Sequence, residues 1–217
     1  MDYKKLFHKE EAFQRETFQK RMEEFGFKNM ARMELFLWDL ELFLHIQKIL
    51  GDKIILKGGA ATQFYLPRDA QRTSVDIDML FFGTEEEIKE TLRKIEEYLG
   101  TEDELFYFHK HSPKNPKTNL PLHTYYTKVP SVLSNAERNM DRESIPYQEL
   151  KIEFILQPEK WEYERRTGEN IFAVNSSWNY QILPLNYLFA DKLTTLGCNT
   201  IGVQNERLDE QVKQFYD

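Results

Sequence analysis

The chain has 217 residues and a formal net charge of −7, with 29 Lys and Arg against 36 Asp and Glu. Hydrophobic residues make up 41% and aromatics 14%, enough to bury a sizeable core, which excludes general disorder. The acidic balance is a poor match to sequence-independent nucleic-acid binding, so an RNA substrate would need a local basic patch.

Residues 3 to 25 are densely charged with Leu6, Phe7, Phe13 and Phe18 as sparse apolar points. They read as a surface helix that Gly26 terminates. From residue 30 to 50, Met33, Leu37, Leu40, Leu44 and Ile46 recur at helical spacing, widened by Phe36 and Phe43, which predicts a core-facing helix. His45 within it reads as a hydrogen-bonded or an exposed histidine and not as a ligand. Gly51-Asp52 turns the chain into a strand from Lys53 to Leu56. Gly58-Gly59 follows, then a helix over residues 60 to 66 and a strand from Val75 to Phe82.

Asp76 and Asp78 share one face of that strand, because strand residues two apart point the same way. Two like charges side by side on a half-buried strand repel each other and resist desolvation. A bound cation removes that cost, and carboxylates suit Mg²⁺. Gly58 and Gly59 let the backbone approach a ligand closely. The helix start after them offers free N–H groups, which predicts a phosphate cradle. A cradle facing a carboxylate pair implies a metal-bound nucleoside triphosphate. The plainer alternative is a tight turn beside a solvated acidic edge. Lys57, at the mouth of the cradle, reads equally well as a phosphate contact or a solvated lysine.

Thr84 with Glu87 forms a capping box for a helix from Glu85 to Leu99, closed by Gly100. Strands are expected over residues 104–110 and 122–129. The loop between them carries His109, Lys110, His111, Lys114 and Lys117, a basic connector or a flap over RNA or nucleotide. His109 and His111 lack a second ligand pair at zinc spacing. The alternation from Tyr147 to Gln157 puts Lys151, Glu153 and Ile155 on one face, with Ile152, Phe154 and Leu156 inward. Residues 158–170 read as irregular, anchored by Trp161 and Tyr163. Residues 171–174 and 180–183 read as short strands, and Pro184 opens a helix. Asn205 to Asp217 reads as a charged helix. The single cysteine, Cys198, excludes an internal disulfide and fits a reducing cytosol. No signal peptide or membrane span of ~18 apolar residues is visible, so a cytoplasmic location is expected.

Gly-Gly, a helix and then Arg72-Thr73-Ser74-Val75-Asp76-Ile77-Asp78 resembles the signature of the DNA polymerase β-type nucleotidyltransferases. More narrowly, LKGGAA, YLPR and RTSVDIDM over Leu56 to Leu80 resemble the AbiEii/AbiGii toxins of abortive-infection and type IV toxin–antitoxin systems. The resemblance implies an α/β fold with a mixed sheet flanked by helices. It divides the chain into an N-terminal helical segment (1–50), a nucleotidyltransferase core (51–183) and a C-terminal helical segment (184–217). Family members often continue beyond that point, so either a minimal member or a longer protein is expected.

The resemblance further implies transfer of a nucleotidyl group from an NTP to an acceptor hydroxyl. Asp76, Asp78 and Glu153 would hold two Mg²⁺ ions about 4 Å apart. Glu153 has a plainer alternative, an exposed carboxylate paired with Lys151. Gly58, Gly59 and Ser74, with Lys57 and Arg72, would bind the triphosphate. Asp191-Lys192-Leu193 matches the family's acidic-Lys-Leu helix, which would aim Lys192 at the triphosphate. The family's following acidic pattern is not matched at Lys213 to Asp217, leaving Asp217 or Asp209 as substitutes. A toxin acting on tRNA, with a cognate antitoxin, is the leading expectation. A small-molecule nucleotidyltransferase and a non-catalytic nucleotide-binding protein are the alternatives.

Overall fold

The computed structural model describes residues 2–112, 121–133 and 147–195. Among these residues seven strands form one mixed sheet in the order β3-β4-β5-β2-β1-β7-β6. The strands are β1 (Ile54–Lys57), β2 (Asp76–Phe81), β3 (His109–Lys110), β4 (Leu122–Pro130), β5 (Tyr147–Leu156), β6 (Glu164–Gly168) and β7 (Ser176–Ile182). β2 runs parallel to β5 and antiparallel to β1, and β1 runs parallel to β7. The helices are α1 (Arg15–Phe25), α2 (Met30–Leu50), α3 (Gly58–Thr62), α4 (Glu85–Leu99) and α5 (Leu185–Thr195).

α2 is the helix the apolar spacing predicts, yet it is not amphipathic in its setting. Every residue from Phe36 to Ile46 is buried, Asp39, Glu41 and His45 included. One side packs on β1, β2 and β5; the other is covered by the N-terminal segment. That segment departs from the expected surface helix. It forms two 3₁₀ turns, Tyr3–Lys5 and Glu10–Phe13, before α1 begins at Arg15 and ends at Gly26, which takes a left-handed φ of 72°. Phe13 and Phe18 are core residues, with the Phe13 ring tilted against Trp38. The charge density of residues 3–25 hides this, because a strap needs only a few buried points to bind.

Buried polar groups fasten the strap. Glu41 accepts hydrogen bonds from the Phe7 N–H (2.8 Å) and the His8 N–H (3.0 Å), and its carboxylate also meets His8 Nδ1 (2.6 Å) and His45 Nε2 (3.0 Å). His8 Nε2 lies 3.1 Å from the Tyr180 hydroxyl on β7. Burial pushes the Glu41 carboxyl up, but these hydrogen bonds win and hold it near 2. Glu34 does similar work at the other end of α2. It accepts from Ser131 Oγ (2.6 Å), the Val132 N–H (2.8 Å) and Gln148, which ties α2 to the end of β4 and the start of β5.

Further differences from the sequence reading have local causes. Positive φ at Asp103, Glu104 and Phe106 breaks the strand expected over 104–110, leaving only β3 at its end. Residues 171–174 are buried as expected of an apolar run but form a turn, closed by Asn175 N–H to Ile171 C=O at 2.9 Å. Residues 164–168 pair as β6, an edge strand the polar composition conceals. The α4 capping box forms as expected, with both reciprocal bonds present. Lys114, Lys117, Cys198 and the segment from Asn205 to Asp217, with Asp209, lie outside the described residues.

Candidate functional site

The site lies where β1 leaves the sheet and β2 enters it. Lys57, Asp78 and Glu153 are directly paired across β1, β2 and β5, so they form one row on one face. Asp76 and Lys151 pair in the next row of β2 and β5 on the same face. The opposite face carries Ile77, Met79, Ile152 and Phe154, all fully buried. This period-two split is what commits the acids to one side: the apolar face is the core, and the register cannot slip without burying the carboxylates.

α3 begins at Gly58 itself, two residues earlier than the sequence suggests. Gly58 has φ +68°, and a Cβ placed there would overlap the Asp78 carboxylate. The backbone at Gly58 therefore lies against Asp78, an approach that only glycine permits. A Cβ on Gly59 would come within 2.8 Å of Arg72 Nη2 and 3.2 Å of Ser74 Oγ. Gly58, Gly59, Arg72, Ser74 and Asp78 thus share one small volume. Arg72 is positioned by its own main chain, whose N–H donates to Gln63 Oε1 at 2.8 Å, and by its Nη1 bond to the Thr73 carbonyl at 2.8 Å. Burial, and then Arg32 nearby, hold the Arg72 guanidinium below its ordinary range. α3 has five residues, too short for a strong macrodipole. The cationic side chains, and not the helix end, supply the positive charge here.

Glu153 accepts from Thr124 Oγ1 at 3.1 Å and pairs with Lys151 at 3.0 Å. Burial lowers the Lys151 ammonium, but Glu153 and then Asp76 and Asp78 outweigh it and raise it above the usual lysine range. Asp78 is pushed up to about 7, by burial first and Glu153 next, against the attraction of Lys57. The cluster therefore holds more negative charge than its two lysines relieve.

Among the described residues, no group of three or more His, Cys, Asp or Glu side chains is arranged as a metal cage. Mg²⁺ needs no such cage. It is commonly held by one or two carboxylates, with water and substrate phosphates completing its shell. An oxygen-only donor set with unrelieved negative charge fits that chemistry, and Asp76, Asp78 and Glu153 are the residues that would hold the ion. His109 and His111 pack edge-on against Tyr107 and Tyr126 and join no group of metal-ligating side chains among the described residues.

Lys192, half-buried in the last turn of α5, is one residue past the α5 side chain that reaches Lys57. That side chain is Asp191, whose Oδ1 lies 2.8 Å from Lys57 Nζ. No local pattern marks this contact, since it depends on how α5 docks after β7. A second residue that spacing does not reveal is Asp39 of α2. Both its carboxyl oxygens are buried with no hydrogen-bond partner among the described residues. Burial, with Asp76 and then Asp78 nearby, holds its carboxyl well above the ordinary range.

The Gly58 backbone thus lies against Asp78 beside the Asp76 and Glu153 carboxylates. The family model described as the nucleotidyl transferase AbiEii toxin of type IV toxin–antitoxin systems matches residues 42–217, and the chain belongs to that family. The crystal structure of JHP933 from Helicobacter pylori is similar at 14% identity, with a TM-score of 0.39, and the match covers 87% of this chain. This chain spans 58% of that one. No curated protein matches it.

Proposed function

We propose that this protein transfers an NMP from an NTP to an acceptor hydroxyl, with Mg²⁺ ions, on a polymerase β-like core, and that tRNA is the acceptor. The observation that carries this reading is the contact of the Gly58 backbone with Asp78 inside the Lys57–Asp78–Glu153 row. A glycine backbone lying against a carboxylate cluster supports a nucleotide held beside metal ions. The bound ions would stabilise charge on the attacking and leaving oxygens.

The chain's own residues divide the remaining work. Asp76, Asp78 and Glu153 hold the cations. Gly58 and Gly59 leave room for phosphate oxygens, while Arg72, Lys57 and Ser74 border that space. Lys192 on α5 adds charge from the nucleotide side. Glu153, fixed by Thr124 and Lys151, is placed to draw the proton from the acceptor hydroxyl. Arg32, whose charge is felt at Arg72, adds to the positive charge on this side, which suits a polyanionic acceptor. No described helix is long and apolar enough to cross a membrane, and the reading places the protein in the cytoplasm beside a cognate antitoxin.

The test is incubation with each α-labelled NTP, Mg²⁺ and total tRNA, beside an Asp76→Ala control. Label entering tRNA from one NTP, and absent with the control, is the expected result. NTP binding without transfer to tRNA refutes the tRNA assignment and directs the search to small hydroxyl acceptors. Absence of both refutes the enzyme reading.

A further inference from the structure

Lys57 stands beside Asp78 in the cross-strand row, yet its ammonium is bonded to Asp191 of α5. The pair is largely withdrawn from water, with Lys57 12% and Asp191 32% exposed. The start of α5 is fixed to the same end of β1. The Leu183 N–H donates to the Leu56 carbonyl at 2.9 Å, and the Tyr65 hydroxyl donates to the Leu183 carbonyl at 3.2 Å. Asp191 follows about two turns along the helix and meets Lys57 from outside the sheet.

A lysine ammonium on a flexible four-carbon stem seeks the nearest unrelieved anion. On this face that anion is Asp78, the immediate neighbour of Lys57, in a cluster where Lys151 already neutralises Glu153. An ammonium seated on Asp78 would occupy the place a divalent cation needs. We propose that Asp191 is a positioning residue that holds Lys57 off Asp78, keeping the carboxylate row open to divalent cations. The inference rests on the reading of Asp76, Asp78 and Glu153 as the cation site.

The experiment titrates the full chain with MgCl₂ alone, without nucleotide, following both the melting temperature and the heat of binding. The variants are Asp191→Asn, Asp191→Glu and the double change Lys57→Met with Asp191→Asn. With Asp191→Asn, the released ammonium competes with the metal, and the Mg²⁺ concentration for half-saturation rises roughly tenfold. Asp191→Glu keeps the hold and stays within about twofold of the parent. The double variant, lacking the competing ammonium, returns to the parent value or below. Unchanged Mg²⁺ binding in Asp191→Asn overturns the inference. So does a double variant as weak as the single one, which would make Asp191 only a docking contact for α5. A parent protein with no Mg²⁺ response refutes the cation site itself, and the inference with it. A parent that responds beside an unaltered Asp191→Asn refutes the inference alone.

Discussion

Replacing Asp78 by Asn removes a charge that the fold holds at a cost. Burial, Glu153 and Asp76 raise its carboxyl from 3.8 to about 7 against the pull of Lys57. A shift of about 3 units corresponds to ~4 kcal/mol, an upper bound because Asp78 and Glu153 share the effect. The folded state keeps a proton that the unfolded chain releases, so stability falls as pH rises from about 4 to about 7 and stays lower above. Asp78→Asn has no proton to lose. At pH 8, without metal, it is expected to be more stable than the parent by about 2–4 kcal/mol, which is roughly 5–12 °C in melting temperature for a chain of this length. At pH 4 the two melt together. Circular-dichroism melts at pH 4, 6 and 8 read this directly. Millimolar Mg²⁺ then raises the parent's melting temperature at pH 8 and leaves the variant where it was, while NMP transfer is lost. An Asp78→Asn protein that melts at or below the parent at pH 8 would refute the claim that the cluster carries unrelieved charge.

Glu153→Gln keeps the Thr124 contact but not the charge, and transfer is expected to fall roughly a hundredfold or more at saturating NTP; activity within about threefold of the parent would reduce Glu153 to the ion-pair partner of Lys151. Gly58→Ala meets the Asp78 carboxylate and forces an L-residue to φ +68°, so a loss of at least about 1–2 kcal/mol and of NTP binding is expected by melting and calorimetry. Glu41→Gln leaves the His8 and His45 side chains and the Phe7 and His8 N–H groups short of a charged acceptor, at a cost of about 3 kcal/mol at pH 7. Because the folded Glu41 carboxyl is depressed to about 2, this difference is present above pH ~4 and fades as pH falls toward 2; an unchanged melt would show that the strap is held by its aromatics alone. Asp39→Asn, whose parent side chain is a raised carboxyl with no hydrogen-bond partner among the described residues, is expected to match the parent near pH 4 and to melt higher above pH 7; a lower melt at pH 8 would reveal a cation contact to the charged form.

The residues that a period can mark were legible. Alternation along β2 and β5 separates Asp76, Asp78 and Glu153 from Ile77, Met79, Ile152 and Phe154 with no tertiary information, because one face of the sheet must be core. The glycine pair, the α4 capping box and the length of α2 were visible for the same reason: each is a local rule. What was hidden depends on neighbours distant in sequence. The strap over α2 rests on Glu41, a charge that looks like a helix surface until His8, His45 and the Phe7 N–H surround it. The Lys57–Asp191 pair joins residues 134 positions apart. The apolar run at 171–174 fits a strand and a buried turn equally well, and Asn175 at φ +45° decides for the turn.

The acidic bulk charge misleads in an instructive way. With all three carboxylates ionised, Asp76, Asp78 and Glu153 face Lys151, while Lys57 is drawn off to Asp191. The row is then left with two formal negative charges, the amount that one divalent ion balances. On the reading proposed above, the first Mg²⁺ belongs to the protein, and the second arrives with the charge of the triphosphate. That division follows from where two lysines point and not from how many the chain carries. A surplus of lysines on this face would fill the row with ammonium groups and close it to metal. The site is thus kept short of positive charge by Asp191 withdrawing Lys57, and a cation from solution restores the balance.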